Sequence, residues 1–242
     1  MLLHGFPFSK ELWAGTRDAL ARQFRVICID LPGHGQSDSF GYVHGMDLMA
    51  QAVKAVMDKL RLKKYVLIGH SMGGYAALAF AELFPEQLKG LCLFHSTCYA
   101  DSEQKKKDRD KAIESVKKDP AAFLRAAAKN LFAPKNLKAF KKEITFATQI
   151  AGKTPQQGII NALEGMKERP NRDVILHFAS YPILFIIGRY DNVLPMQSLL
   201  DQSKIGKKSS AVLLEESAHM GFFEEKEKSM KALRKFLRSC YR

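Results

Sequence analysis

Tyr65-Val66-Leu67-Ile68-Gly69-His70-Ser71-Met72-Gly73-Gly74 is the stretch that decides how this chain is read. Its apolar start predicts a strand, and the small residues from Gly74 to Leu83, ended before Pro85, predict a helix. Between them, residues 69–73 fit the pattern Gly-x-Ser-x-Gly. Such a pentapeptide arises by chance in roughly 5–10% of chains this long, so its setting counts for more than its letters. A strand, a sharp turn and a helix are the setting of a nucleophile elbow, where a serine hydroxyl projects toward a base on another loop. Residues two before and two after the serine crowd that turn, which explains glycine at both places. The Met72 N–H would open the helix, where the dipole favours developing negative charge. The plainer reading is a helix-entry turn with an unreactive serine.

Outward from this stretch, apolar runs alternate with amphipathic ones, the pattern of a parallel sheet with crossover helices. Residues 1–3 predict the end of a strand leading into His4-Gly5. Residues 9–22 predict a turn and helix, and residues 24–30 a second strand closed by Leu31-Pro32-Gly33. Residues 47–60 carry apolar positions at helical spacing, and residues 88–94 predict another strand. From 101 to 172 the chain turns lysine- and alanine-rich without a convincing strand. Helices are expected there, broken near Pro120, Pro134 and Pro155. Residues 183–187 and 212–214 resume the strand pattern, and residues 222–241 predict one closing helix. Two segments, 1–100 and 173–242, therefore form the expected core, with 101–172 inserted between them.

Composition narrows the classes. The 242 residues suffice for one core domain plus a small insertion. No apolar run approaches the ~20 residues of a membrane span, and the opening residues lack a secretory pattern, so the expected setting is cytoplasmic. Four cysteines without a CxxC pair are expected as free thiols. The net charge of +13 raises the question of nucleic acid. Its densest lysines are interleaved with acids, as in Lys105-Lys106-Lys107-Asp108-Arg109-Asp110-Lys111, and no nucleic-acid-binding motif accompanies them. A solvated helical face is expected, with neither a nucleic-acid nor a membrane partner.

Three further features lie at predicted strand ends. His4-Gly5-Phe6-Pro7 follows the first strand, and a turn there can present the Phe6 N–H as a second oxyanion donor beside Met72. Asp191, in Gly188-Arg189-Tyr190-Asp191, follows a buried parallel strand, where open α/β sheets place functional groups. Alone, it reads equally well as a turn aspartate or a helix N-cap. His219, in Ser217-Ala218-His219-Met220-Gly221, sits in a loop before the final helix, within reach of a base's task.

Taken together, these residues resemble the α/β-hydrolase-fold superfamily, in its esterase, C–C hydrolase and haloperoxidase-like branch. The resemblance rests on His4-Gly5-Phe6-Pro7, on Asp30-Leu31-Pro32-Gly33-His34-Gly35-Gln36-Ser37-Asp38, on residues 69–74, on residues 188–191 with Pro195, and on His219. Ser71, Asp191 and His219 fall in the family's order Ser…Asp…His. The resemblance implies a nucleophile at Ser71, an acid at Asp191, a base at His219, an oxyanion hole at the Phe6 and Met72 N–H groups, and a helical cap at 101–172. It implies helices on both faces of a mostly parallel sheet of about six strands, since the family's first two strands are missing here. The strand at 24–30 then becomes an edge, so a monomer and a homodimer are both expected states.

The function expected from the resemblance is a serine carboxylesterase acting on a small-molecule substrate through an acyl-enzyme, with no metal or organic cofactor. One alternative is a C–C bond hydrolase or lyase, whose acidic substrate needs cationic or polar groups; His95, Arg109 and Arg125 are the candidates. Another is a non-catalytic ligand sensor on the same fold. Phe8 and Trp13 are assigned to core packing in preference to a pocket mouth.

Overall fold

The computed structural model describes residues 1–241; position 242 of the expected 173–242 segment lies outside them. Six strands form one sheet: β1 Leu2–Leu3, β2 Cys28–Ile29, β3 Tyr65–His70, β4 Leu88–Phe94, β5 Ile183–Gly188 and β6 Ser209–Leu214. Their order is β2-β1-β3-β4-β5-β6, and every neighbouring pair is parallel. This is the α/β-hydrolase arrangement, with helices on both sides of the sheet. Strands covered on both faces need apolar residues at every position, which is why β3 and β5 are buried throughout. Edge strands escape that demand: β2 is half-buried and β6 begins with two serines.

The helices are α1 Ala14–Ala21, α2 Met46–Lys59, α3 Met72–Leu83, α4 Glu103–Lys118, α5 Pro120–Asn130, α6 Lys141–Ala151, α7 Gln156–Lys167, α8 Asp173–Phe178, α9 Met196–Gln202, α10 Gly221–Glu224 and α11 Lys226–Cys240. Buried Gly73, Gly74, Ala76, Ala77, Ala79 and Ala81 keep α3 narrow, so it can lie close against the sheet. Helices α4 to α8 all fall between β4 and β5. Ser102 and Asp119 cap α4 and α5 through their side chains, and Pro120 opens α5 where its missing N–H is harmless. The lysines of this region are partly neutralised by nearby acids, as in Lys106–Glu103 at 2.8 Å and Lys117–Glu114 at 3.1 Å.

Register is what positions the site. Leu3 lies opposite Gly69, His70 opposite Phe94, Phe94 opposite Ile186, and Gly188 opposite Leu214. The carboxyl ends of β1, β3, β4, β5 and β6 therefore finish along one rim of the sheet. The residues that follow, at 4, 71, 95, 191 and 219, emerge there together.

Two elements differ from expectation. The second strand is two residues long instead of seven, because β1 offers it only Leu2 and Leu3 to pair with. The closing helix is broken at Glu225, an intrinsically good helix former. Its carboxylate accepts hydrogen bonds from the Glu216 N–H at 2.8 Å and the Ser217 hydroxyl at 3.1 Å, a tertiary demand that overrides helix propensity. Phe8 and Trp13 are fully buried, with the Trp13 ring against Phe94 and Phe222. All four cysteines are free thiols. Among the described residues no helix is long and apolar enough to cross a membrane.

Leu67, at the centre of β3, is completely buried. Leu67→Ala should lower the unfolding free energy by about 2–5 kcal/mol. Urea denaturation should show this as a lower midpoint with an unchanged slope.

Candidate active site

Strand β3 delivers Ser71 into a turn that most residues avoid. Its backbone has φ +50° and ψ −117°, a strained conformation costing about 1–3 kcal/mol for a residue other than glycine. The neighbours hold it there. The Ser71 N–H donates to the Phe94 carbonyl at 3.0 Å, and the Ser71 carbonyl accepts from the Ser96 hydroxyl at 2.8 Å. Gly74 N–H, at 2.8 Å, bonds that same carbonyl. Any side chain at Gly69 would strike the backbone of Gly73 and Gly74, and one at Gly73 would strike Leu3 and His4. Both glycines are thus required by backbone approach, as the elbow pattern predicts.

Asp191 and His219 meet, although 28 residues separate them. His219 Nδ1 lies 2.7 Å from Asp191 Oδ2, and both residues are buried. The other carboxylate oxygen, Oδ1, accepts from the Val193 N–H at 2.9 Å and the Leu194 N–H at 3.0 Å. Burial opposes the charge on Asp191, but its two histidine neighbours outweigh that and hold its pKa well below the usual carboxylate range. The His219 loop is fixed by backbone bonds on two sides: the His219 N–H donates to Leu131 O at 2.9 Å, and His219 O lies 2.9 Å from His70 Nε2. His70 immediately precedes Ser71 in the chain, so this last bond brings the His219 loop to the serine turn.

At the first strand's end, the His4 ring stitches the turn to the next loop. Its Nε2 accepts the Leu31 N–H at 3.0 Å, which leaves Nδ1 to donate to the Gly5 carbonyl at 3.0 Å. Burial lowers the pKa of His4 to about 4 and that of His34 to about 3. The Phe6 ring leans edge-on to His34, and the Phe6 residue is half-buried. Met72 is the first residue of α3, whose leading N–H groups have no partner within the helix.

The cationic candidates for an acidic substrate are placed otherwise than expected. Arg109 is ion-paired with Asp101, which also binds Arg169 at 2.8 Å. Arg125 is exposed on α5. His95 is fully buried, with Nδ1 3.4 Å from Asp191 Oδ2. Sequence reasoning missed the roles of His70 and His95 in this frame. Their one signal was position at a strand end, which a single sequence cannot separate from ordinary packing. It also missed the link to the insertion: the Glu224 carboxylate accepts from the Ala133 N–H at 2.8 Å, the Asn136 amide at 2.8 Å and the Ala218 N–H at 2.9 Å. Asn192 reaches the Asn130 carbonyl at 2.9 Å.

Among the described residues, one group of acid and imidazole atoms is close enough to chelate a cation: His95, Asp191 and His219, within 4.8 Å of one another. The Asp191 oxygens and His219 Nδ1 are engaged by the bonds above and His95 Nε2 by the Gly221 N–H at 3.1 Å, whereas His95 Nδ1 is buried without a hydrogen-bond partner among the described residues. Most of the group's atoms are thus held by hydrogen bonds within the protein.

Comparison with known proteins agrees with the fold. The family described as alpha/beta hydrolase fold matches residues 1–226. The structure of a thermophilic esterase from Thermogutta terrifontis superposes with a TM-score of 0.94 at 30% identity, covering 100% of this chain and 89% of that one. A protein of the AB hydrolase superfamily from Bacillus subtilis is 29% identical over 251 residues, covering 99% of this chain and 91% of the relative. A dihydrolipoyllysine-residue acetyltransferase component of the acetoin cleaving system from Pseudomonas putida is 27% identical over 248 residues. The chain spans 63% of that relative's length.

The buried imidazoles set a pH dependence. Burial lowers the pKa of His4, His34, His70 and His95. Below the ordinary histidine value of ~6.5 the unfolded chain takes up protons that the folded chain refuses, so stability falls as pH drops. Asp191 contributes in a different window: its stabilisation is present above ~3.9 and is lost only as pH falls further. Between pH 7 and pH 5 the unfolding free energy should drop by about 2 kcal/mol each for His4 and His34. Urea titrations at the two pH values check this, and equal stabilities would refute it.

Proposed function

Since the chain belongs to the α/β-hydrolase family, we propose that it is a serine carboxylesterase acting on small-molecule esters. The observation that carries the proposal is the buried 2.7 Å bond between His219 and Asp191, beside a serine held in a strained elbow. With Nδ1 committed to Asp191, Nε2 is the His219 nitrogen left for the serine proton. Ser71 Oγ attacks the ester carbonyl carbon as His219 takes its proton. The N–H groups of Phe6 and Met72 hold the oxyanion that forms. Collapse of the tetrahedral adduct expels the alcohol, which leaves with the proton from His219 and an acyl group on Ser71. Water then attacks that acyl carbon, gives its proton to His219, and the carboxylic acid departs as Ser71 recovers the proton. Asp191 stays ionised throughout and favours the imidazolium that forms twice per cycle.

Residues 101–172 take the role of a cap that sets substrate choice. Two aspects support an ester over an acidic C–C substrate. Arg109 is neutralised by Asp101, and His95 faces Asp191, so neither is available to hold a carboxylate. The esterase likeness of the Thermogutta terrifontis protein points the same way.

Hydrolysis of p-nitrophenyl acetate and butyrate tests the reading. Ser71→Ala should reduce kcat by at least about 10³-fold, and His219→Ala by a similar factor. Turnover undiminished in Ser71→Ala would sink the mechanism. Absence of turnover in the parent protein on a panel of short esters would favour a ligand sensor instead.

A further inference from the structure

His95, like His4 and His70, is an imidazole at the strand-end rim to which the proposed reaction gives no task, and it is the one of these three that approaches Asp191 within 3.4 Å. We propose that it is a positioning residue, clamping Asp191 to the loop that carries His219 and sharing the charge of the Asp191 oxygen that His219 uses. This rests on the serine-hydrolase reading of the same site.

Three observations build the case. First, the Gly221 N–H donates to His95 Nε2 at 3.1 Å. An imidazole nitrogen that accepts carries no hydrogen, so in the neutral ring the hydrogen sits on Nδ1. Second, that Nδ1 lies 3.4 Å from Asp191 Oδ2, the oxygen bonded to His219. That Nδ1 is buried and has no hydrogen-bond partner among the described residues, so its hold on Asp191 is a close electrostatic approach, while Nε2 is hydrogen-bonded to the His219 loop. Third, the His95 backbone is held for this purpose. It has φ +47°, a left-handed conformation unusual for a residue other than glycine, and its N–H is fastened to Ile186 O at 2.8 Å. Burial, the largest influence on its acidity, keeps the ring neutral.

The consequence is a graded competition. The His219 bond to Oδ2 is short and the His95 approach is long, so His95 withdraws a minor share of the carboxylate's charge. Losing it would leave Asp191 a stronger partner for protonated His219. The other groups facing His95 are His70 from β3, with ring centroids 6.1 Å apart, His219 itself at 5.5 Å, and Glu225 beyond the loop. His70 and Glu225 are retained in every variant at 95, and His95→Gln, which keeps a donor and an acceptor, separates loss of the Asp191 contact from loss of the ring beside His70 and His219.

Two measurements decide it. In the unaltered protein, imidazole nitrogen chemical shifts should show His95 protonated on Nδ1; protonation on Nε2 would overturn the proposal whatever the variants do. In His95→Phe, kcat should fall by about tenfold with little change in KM, and the acid limb of the pH–rate profile should rise by about half to one pH unit. His95→Gln, which keeps a donor and an acceptor, should recover most of the rate and return the limb toward its original position. A folded His95→Phe whose acid limb stays in place would refute the clamp. The histidine Cε1–H titrations, followed by NMR with and without His95→Phe in a Ser71→Ala background, need no turnover. If no ester is hydrolysed yet the His219 titration moves, the clamp stands and the esterase reading fails; if esters are hydrolysed and it does not move, the reverse holds.

Discussion

The turn at Ser71 is the constraint on which the rest of the site depends. A residue other than glycine is kept at φ +50° because three hydrogen bonds and two glycine contacts leave it nowhere else to go. Those supports come from β1, β3, β4 and α3 at once. The strained serine is therefore a property of the sheet's register: slide β4 by one residue and Phe94 O no longer meets the Ser71 N–H. The local cost, about 1–3 kcal/mol, is small against a core that includes every residue of β3 and β5.

A second constraint follows from burying so many imidazoles near one carboxylate. His70, His95 and His219 pack within 6.1 Å of one another by ring centroid, and only Asp191 among them carries a settled charge. A low-dielectric cluster of this kind tolerates one proton more readily than two, because like charges at that spacing repel strongly. The hydrogen bonds on His70 and His95 serve that need: each ring nitrogen with a backbone partner is fixed in role.

How much of this was legible in the sequence depends on how local the signal is. The strand-turn-helix around Ser71 could be read directly, because a continuous apolar run, paired glycines and a small-residue helix all lie within twenty residues. Asp191 and His219 were readable as strand-end residues, and the structure brings them together. The bridging role of His95 was not readable, since it arises from contacts with residues 96 and 126 positions away. Glu225 failed for the same reason: its helix-breaking duty comes from Glu216 and Ser217 across a loop, while its own propensity points to continuation. The shortened second strand reflects a partner too brief to pair with, which no periodicity within residues 24–30 could report.

The segment at residues 130–136 bonds at once to the Asp191 loop through Asn192, to His219 through Leu131, and to Ala218 through the shared carboxylate of Glu224. It works as a keystone between the inserted helices and the rim of the sheet. An inserted region anchored so close to the acid–imidazole pair is not free to swing from its base. Altering the 130–136 segment would disturb the Asp191 and His219 loops together.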